Sequence, residues 1–342
     1  MSTIEEPVLA RRTRSDYAEL SVRIRAAGLL ERRTGYYVAK FVATLGVFAA
    51  AWVAFALIGP SWWQLITAAV LGVLSTQIAM LGHDAGHKQV TRTRGSSYLI
   101  GVLLGNLLTG LSFGWWIDKH NRHHAHPNHG ELDPDVAPAG PLVFLHGQAE
   151  GRRGVYAWLT RHQAAVFFPI LLLEGLNLHV GSFDALRDGT VKDRWREGSL
   201  LAVHVLAFVA APFLVLTFWQ ALAFLAVHQA VFGFYMGCSF APNHKGMPSL
   251  SDEEEKDYLR RQVLTSRNVR GGRLTDWLLG GLNYQVEHHL FPSMPRPNLR
   301  RAQPLVERFC AERGVRYVET GLFESYALVL RHLHEVGEPA RA

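Results

Sequence analysis

Only two cysteines occur among the 342 residues, Cys238 in an apolar stretch and Cys310 in a polar one. Neither a disulfide framework nor a thiolate metal site can be built from them, and an iron–sulfur centre is excluded on the same ground. No Gly-x-Gly-x-x-Gly fingerprint follows a strand, so the chain brings no dinucleotide site of its own. The His-Glu-x-x-His helix of zinc proteases is absent, as is the paired Glu-x-x-His pattern of carboxylate-bridged di-iron bundles. The net charge of +6 comes without any RNA- or DNA-binding motif. Much of it lies in Arg11, Arg12, Arg14, Arg23, Arg25, Arg32 and Arg33, just before the first apolar run, as the positive-inside rule expects of a cytoplasmic flank. No nucleic-acid partner is therefore expected. A cleaved leader is not expected either, because that first run starts only after about 35 residues and lacks a small-residue cleavage site.

Four stretches lack Asp, Glu, Lys and Arg altogether: Phe41–Ile58, Trp62–Leu81, Ser199–Phe218 and Ala221–Phe240. Each is 18 to 20 residues long, enough at a helical rise of about 1.5 Å per residue to cover roughly 30 Å of hydrocarbon. The links Gly59–Ser61 and Trp219–Gln220 are so short that the four spans must pair as two antiparallel hairpins, with Trp62, Trp63 and Trp219 at the interface. Ser97–Phe113 and Val166–Leu178 are apolar too, but the first is borderline in length and the second is short and contains Glu174.

Histidine is abundant, and its placement carries more than its number. His83-Asp-Ala-Gly-His87 sets two imidazoles at i and i+4 on one helix face. His120-Asn-Arg-His123-His124 offers i, i+3 and i+4, and Gln285-Val-Glu-His288-His289 repeats that spacing with Gln first. His244 follows the fourth span. These groups can share a site only if they lie on one side of the membrane. Ser97–Phe113 and Val166–Leu178 must then dip into or lie along the cytoplasmic leaflet rather than cross. Eight neutral nitrogen donors exceed the three or four protein ligands that one zinc takes, so two metals are the more natural count. Asp84, Asp118, Asn121, Asn283, Glu287, Asp133 and Asp135 sit nearby in sequence as candidates to orient the rings. His126, His129, His146, His162, His179, His204, His228, His332 and His334 stand alone and are read as surface or hydrogen-bonded core residues.

The expected architecture is an all-α integral membrane protein with four transmembrane helices in two hairpins, interfacial helices, and a cytosolic helical cap holding a polyhistidine di-metal site. A basic arm (1–35) precedes the membrane domain (36–335, with the cap at 245–335), and a short tail (336–342) follows. In the cap, residues 251–261 read as a solvated helix. Pro304–Arg313 reads as an amphipathic helix opened by Pro304, with Leu305, Val306, Phe309 and Cys310 on one face.

The three boxes, HDAGH at 83–87, HNRHH at 120–124 and QVEHH at 285–289, together with NYQVEHHLFP, HHAHPN, DPD and TSRN at 265–268, resemble the membrane fatty acid desaturase family across about residues 35–335. The resemblance implies a non-haem di-iron centre, two Fe ions, that uses O2 to insert a double bond into an acyl chain. It maps metal ligands onto His83, His87, His120, His123, His124, His288 and His289, and likens His244 to an eighth. Iron is preferred because dioxygen chemistry on a membrane-embedded substrate needs a redox metal. Gln285 is the departure, since many members carry His there; it resembles the front-end subgroup and is read, with Asp84, Asn243 and Asn283, as a possible ligand or ring-orienting group. That subgroup's usual fused cytochrome b5 is not found, as no His-Pro-Gly-Gly segment occurs.

Electrons are therefore expected from a separate ferredoxin or cytochrome b5 type donor with its reductase, docking on Arg260, Arg261, Arg267, Arg270, Arg273, Arg300 and Arg301. The substrate is a membrane lipid or acyl-CoA, and Phe113, Trp115 and Trp116 are candidates to line its tunnel. The active site and both termini are expected in the cytoplasm. Hydroxylases and related oxygenases share such boxes and form the alternative reading. A histidine-rich metal transporter is disfavoured, because transport ligands normally lie within spans, and here the spans contain only His204 and His228.

Overall fold

The computed structural model describes residues 15–138, 140–250 and 252–338. Arg11, Arg12 and Arg14 of the basic arm, and the end of the tail, lie outside the described residues. The arm is not a plain extension from residue 15 on. Helix α1 (Asp16–Ala26), capped by the Ser15 hydroxyl, buries Leu20 and Ile24 completely. Its arginines are engaged as well: Arg23 pairs with Glu19 and Glu312, each at 2.7 Å, and Arg33 donates to Asn298 Oδ1.

Four helices are long and apolar enough to cross a membrane: α2 (Thr34–Ile58), α3 (Gln64–Gly86), and, later in the chain, two more of 22 and 27 residues. Trp62 and Trp63 stand exposed in the first turn as expected, and Gln64 ties that turn down by donating to the carbonyls of Phe55 and Gly59. The helices overrun the apolar runs at the end that matters. α3 continues past Leu81 to Gly86, so His83 lies within the helix and His87 caps it.

The Ser97–Phe113 stretch is not one straight element. It forms α4 (Arg94–Val102), a π-helical turn (Leu103–Thr109) and, after a break at Gly110–Ser112, α5 (Phe113–Ala125), with a bend of 113° across the break. The second ambiguous stretch is also split. After α6 (Gly154–Arg161), α7 (Gln163–Leu171) and α8 (Glu174–Arg187) meet at 72°.

The later pair of apolar helices is α9 (Arg194–Val215) and α10 (Phe218–His244). Their break falls at Leu216–Thr217, where the Thr217 hydroxyl and the Gln220 side chain close a capping box, so Trp219 belongs to the helix rather than to the turn. α3 packs chiefly on α10. Gly72 permits the approach, because a Cβ there would meet the His228 carbonyl at 2.9 Å. α2 and α9 instead leave long side chains such as Leu57, Leu206 and Leu214 more than two-thirds exposed, a surface suited to lipid and not to water.

The cap departs from expectation in three places. Residues 251–261 are not one solvated helix: α11 (Asp252–Glu255) is four residues long, and α12 (Tyr258–Leu264) buries Leu259, Gln262 and Val263. A short parallel pair joins β1 (Asn268–Arg270) to a later strand, so the chain is not purely helical. After α13 (Arg273–Leu278) and α14 (Gln285–Leu290), the amphipathic helix α15 runs from Arg296 to Glu312; Pro297 opens it and Pro304 lies inside. The apolar face is as expected, with Val306, Phe309 and Cys310 wholly buried. β2 (Glu319–Gly321) and α16 (Leu322–Val336) complete the chain. One apolar core joins α1, α12, α14 and α15, which anchors the third histidine box to the first helix.

Candidate metal centre

The boxes reach one place by different routes. His83 and His87 sit one turn apart at the end of α3. His120, His123 and His124 share a face of α5, whose first turn is closed by the Ser112 hydroxyl accepting from the Trp115 amide. His244 ends α10, and α14 carries Gln285, His288 and His289 on a segment with every residue buried. The donor atoms of His83, His87, His120 and His288 lie within 4.8 Å of one another, and so do those of His123, His244 and His289. His124 stands between the two groups, its Nε2 3.1 Å from His120 Nε2 and its ring stacked on His289 at 4.2 Å. The structure thus brings together all eight histidines singled out in the sequence.

The outer nitrogens show which way the lone pairs point. His123 Nδ1 lies 3.0 Å from Asp133 Oδ2, His244 Nδ1 3.0 Å from the Thr265 carbonyl, and His289 Nδ1 2.9 Å from Gln262 Oε1. The Gln262 amide is held that way round because its nitrogen donates to the His124 carbonyl. A carboxylate and two carbonyls can only accept, so each of these Nδ1 atoms carries the hydrogen and each Nε2 offers a lone pair. Those Nε2 atoms face one another, His244 to His289 at 3.1 Å and His123 to His244 at 3.3 Å. Two lone pairs so opposed repel each other, and a shared cation satisfies both. Burial first, and repulsion from the neighbouring imidazoles second, holds His288 and His289 well below the ordinary histidine range, so both stay neutral and free to coordinate. The buried Nε2 atoms of His83 and His288 have no hydrogen-bond partner among the described residues. Uncharged imidazole sets of this kind suit Fe, Zn, Cu or Ni.

The orienting residues sort differently from the sequence reading. Asp84 lies 3.5 Å from His83 Nδ1 and pairs with Arg296 at 2.7 Å, while Asp133 and Asp135 flank His123. Asn243 donates to Gln285 Oε1 at 3.3 Å, and the Gln285 amide reaches to 2.8 Å from His244 Nε2. Four candidates are turned elsewhere. Asp118 pairs with Arg122 at the surface, and Asn121 is exposed. Asn283 donates to Asp276, and Glu287 takes the Asn268 amide and the Tyr317 hydroxyl, bracing the start of α14 rather than a ring.

Of the tunnel candidates, Phe113 and Trp116 line a cavity of about 40 Å³ beside His83, and the Trp116 ring stacks on His120 at 4.5 Å. Trp115 does not line it; its indole packs over Gly181 of α8. A larger cavity of about 310 Å³, lined by Trp52, Phe208 and His204 among others, shares Thr109 with the first. Arg267 is also corrected. It is 2% exposed and donates to the carbonyls of Pro242 and Lys245 on either side of His244, so it clamps the end of α10 and cannot dock a partner.

Sequence reasoning missed two contributors, Arg267 as a clamp and Arg296 as the buried partner of Asp84. Only the TSRN motif around Arg267 carried a signal.

A family described as fatty acid desaturase matches residues 60–321. An acyl-lipid (9-3)-desaturase of Physcomitrium patens is 30% identical over 95% of this chain, which spans 63% of that relative's length. A Delta(5) fatty acid desaturase of Caenorhabditis elegans is 31% identical, with 95% of this chain and 74% of the relative covered. A Delta 8-(E)-sphingolipid desaturase of Emericella nidulans is 28% identical, with 100% of this chain and 66% of that protein covered.

Proposed function

The chain belongs to the fatty acid desaturase family, and from that premise we propose that it introduces a double bond into an acyl chain at a non-haem di-iron centre. The observation that carries this reading is the convergence of eight imidazoles, five of them buried, whose anchored members turn their Nε2 lone pairs inward. His83, His87, His120, His123, His124, His244, His288 and His289 would hold two iron ions. When bound, the iron pair supplies the reduction of O2 to two waters, using two electrons, two protons and the two hydrogens removed from neighbouring methylenes. Asp133, the Thr265 carbonyl and Gln262 hold the ring hydrogens outward, keeping the donors neutral and aligned. The Gln285 amide lies against His244 and offers a hydrogen bond or, turned over, a weak oxygen donor. Phe113 and Trp116 shape an apolar, water-poor approach to His83.

The substrate is an acyl chain carried by a membrane lipid, as the names of the acyl-lipid and sphingolipid relatives suggest, or by coenzyme A. We place the histidine centre, the cap at 245–335 and both termini on the cytoplasmic side. α2–α3 and α9–α10 then form two membrane hairpins, and the bent pairs α4–α5 and α7–α8 lie in the cytoplasmic leaflet. The side-by-side packing of α2 with α3 and of α9 with α10 supports this arrangement.

Two experiments test the reading. Expression in a host with simple lipids, followed by mass spectrometry of its fatty acids, is expected to reveal a new double bond. An oxygenated product in its place would show a hydroxylase-type outcome, and no O2-dependent product would sink the reading. The electron donor, of ferredoxin or cytochrome b5 type with a reductase, is proposed to dock on the exposed arginines that remain. Arg260 pairs with both Asp16 and Asp257, and Arg261 donates to the Glu255 carbonyl; Arg270, Arg273, Arg300 and Arg301 are exposed, with Arg270 in a single pair with Glu319 and Arg300 in a single pair with Asp276. Reversing Arg300 and Arg301 to Glu is expected to slow reduction by an acidic donor about tenfold and to flatten its salt dependence. Wild-type reduction rates in that variant would remove this docking face.

A further inference from the structure

One carboxylate outside the histidine centre gathers more hydrogen-bond donors than a structural pair requires. Glu197, in the first turn of α9, has no solvent exposure. Its oxygens accept from the Tyr98 hydroxyl at 2.9 Å, the Ser112 hydroxyl at 2.7 Å, the Asn106 amide at 3.0 Å and the Gly114 backbone N–H at 3.1 Å. These donors come from α4, from the π-helical turn and from the start of α5. They converge at the break where the chain turns through 113°. A carboxylate against a free N–H in the first turn of a helix also complements the helix dipole. The fit leaves no slack, because a Cβ on Gly114 would meet Glu197 Oε1 at 2.5 Å.

The segment pinned in this way forms one wall of the cavity beside His83. Gly105, Thr109, Leu111, Ser112, Phe113 and Trp116 all line it, opposite residues of α3 and α10. Asn106 anchors the wall a second time, its Oδ1 accepting from the Phe113 N–H at 3.1 Å. A shift of Glu197 therefore moves the wall as a unit relative to His83. At its far end α5 carries His120 and His124, whose rings stand against those of His87 and His288.

We propose that Glu197 is a positioning residue that fixes this wall and so sets which carbon pair of the acyl chain faces the histidine centre. The proposal rests on the desaturase reading given above. It assigns to a residue of α9, 83 to 99 positions away in sequence from the wall residues it holds, the control of where along the chain the double bond falls. A displacement near 1 Å is enough to change reactivity at a given carbon by about a hundredfold.

Three variants test it. Glu197→Asp keeps the charge and withdraws it from Gly114, Tyr98→Phe removes a single donor, and Gly114→Ala pushes on the carboxylate from the other side. Two measurements are made on each, the positional distribution of new double bonds in the host's fatty acids and the thermal stabilisation of purified protein by a chain-length series of free fatty acids. Both are ratios within one preparation, so a lower yield of folded protein does not move them. Expected are products displaced by one or two carbons, a shifted chain-length optimum and unchanged metal content, smallest in Tyr98→Phe. Wild-type positions and optimum in every variant that folds would overturn the proposal, and so would loss of metal without displacement, which would make Glu197 a brace for the ligands. If the wild type forms no double bond, the parent reading falls, and the chain-length optimum alone still decides whether Glu197 sets the wall.

Discussion

His288→Ala and, separately, His123→Ala are expected to abolish double-bond formation and to lower metal affinity by more than about a hundredfold, the upper end of what losing an outer partner of a ligand costs. The two residues probe different halves of the centre. His288 is 1% exposed, with its ring 4.8 Å from the rings of His83, His87 and His124, whereas His123 belongs with His244 and His289. If both halves hold metal, each variant loses one ion first and keeps the other more firmly, which metal analysis of purified protein will show as a fall by half. Asp133→Asn tests the orientation argument. The amide can present its nitrogen to His123 Nδ1, which undermines the tautomer that sends the Nε2 lone pair inward. A tenfold to hundredfold weakening of metal affinity is expected there. His126→Ala is the control, since that ring is partly exposed and faces Glu255 at 3.9 Å rather than the cluster. Full metal content and full activity in His288→Ala would remove that residue from the centre.

The second large effect concerns folding. Asp84 and Arg296 are 2% and 6% exposed and meet at 2.7 Å, and the Arg296 guanidinium also donates to the Met80 carbonyl. The pair fastens α3, which carries the first box, to the start of α15, which follows the third. Asp84→Ala leaves Arg296 buried without its counter-charge, and removing one partner of a buried pair costs about 3–5 kcal/mol. Thermal unfolding in detergent is expected to show a clear drop. Asp84→Leu combined with Arg296→Met replaces both charges by apolar groups and is expected to recover most of the stability. It will not recover the contact of Asp84 with His83 Nδ1. The double variant therefore separates the fold from the site: near-normal melting with weakened metal binding. Equal stability of Asp84→Ala and wild type would show that the pair contributes nothing net.

Much of this protein could be read from short-range pattern. A span announces itself by the absence of charge over about 20 residues, and the four runs became four helices with boundaries shifted by a few residues, outward at most ends and inward at Gln64 and Val215. Imidazoles at i, i+3 and i+4 share a helix face in any context, so the boxes were legible as ligand sets wherever the helices ended. The apolar face of α15 followed from the same periodicity, although its start did not. Proline is tolerated in a first turn, so the sequence places Pro304 at the start, whereas packing of Leu299 and Ala302 into the core extends the helix back to Arg296. Similarly, residues 251–261 look solvated by charge count, yet Tyr258 and Leu259 are claimed by the core that α1 completes.

What the amino-acid order determined by itself was the inventory: apolar lengths, donor types and their spacing, each decided by neighbours within a turn or two of helix. Only the tertiary structure decided which distant groups meet. It buried Arg267 against the end of α10, turned Trp115 toward α8 and away from the cavity, paired Asp84 with Arg296, and brought Glu197 to the break before α5. These contacts depend on the path of the whole chain and on the cost of leaving a buried charge or donor unpaired, a cost that no local window of sequence contains.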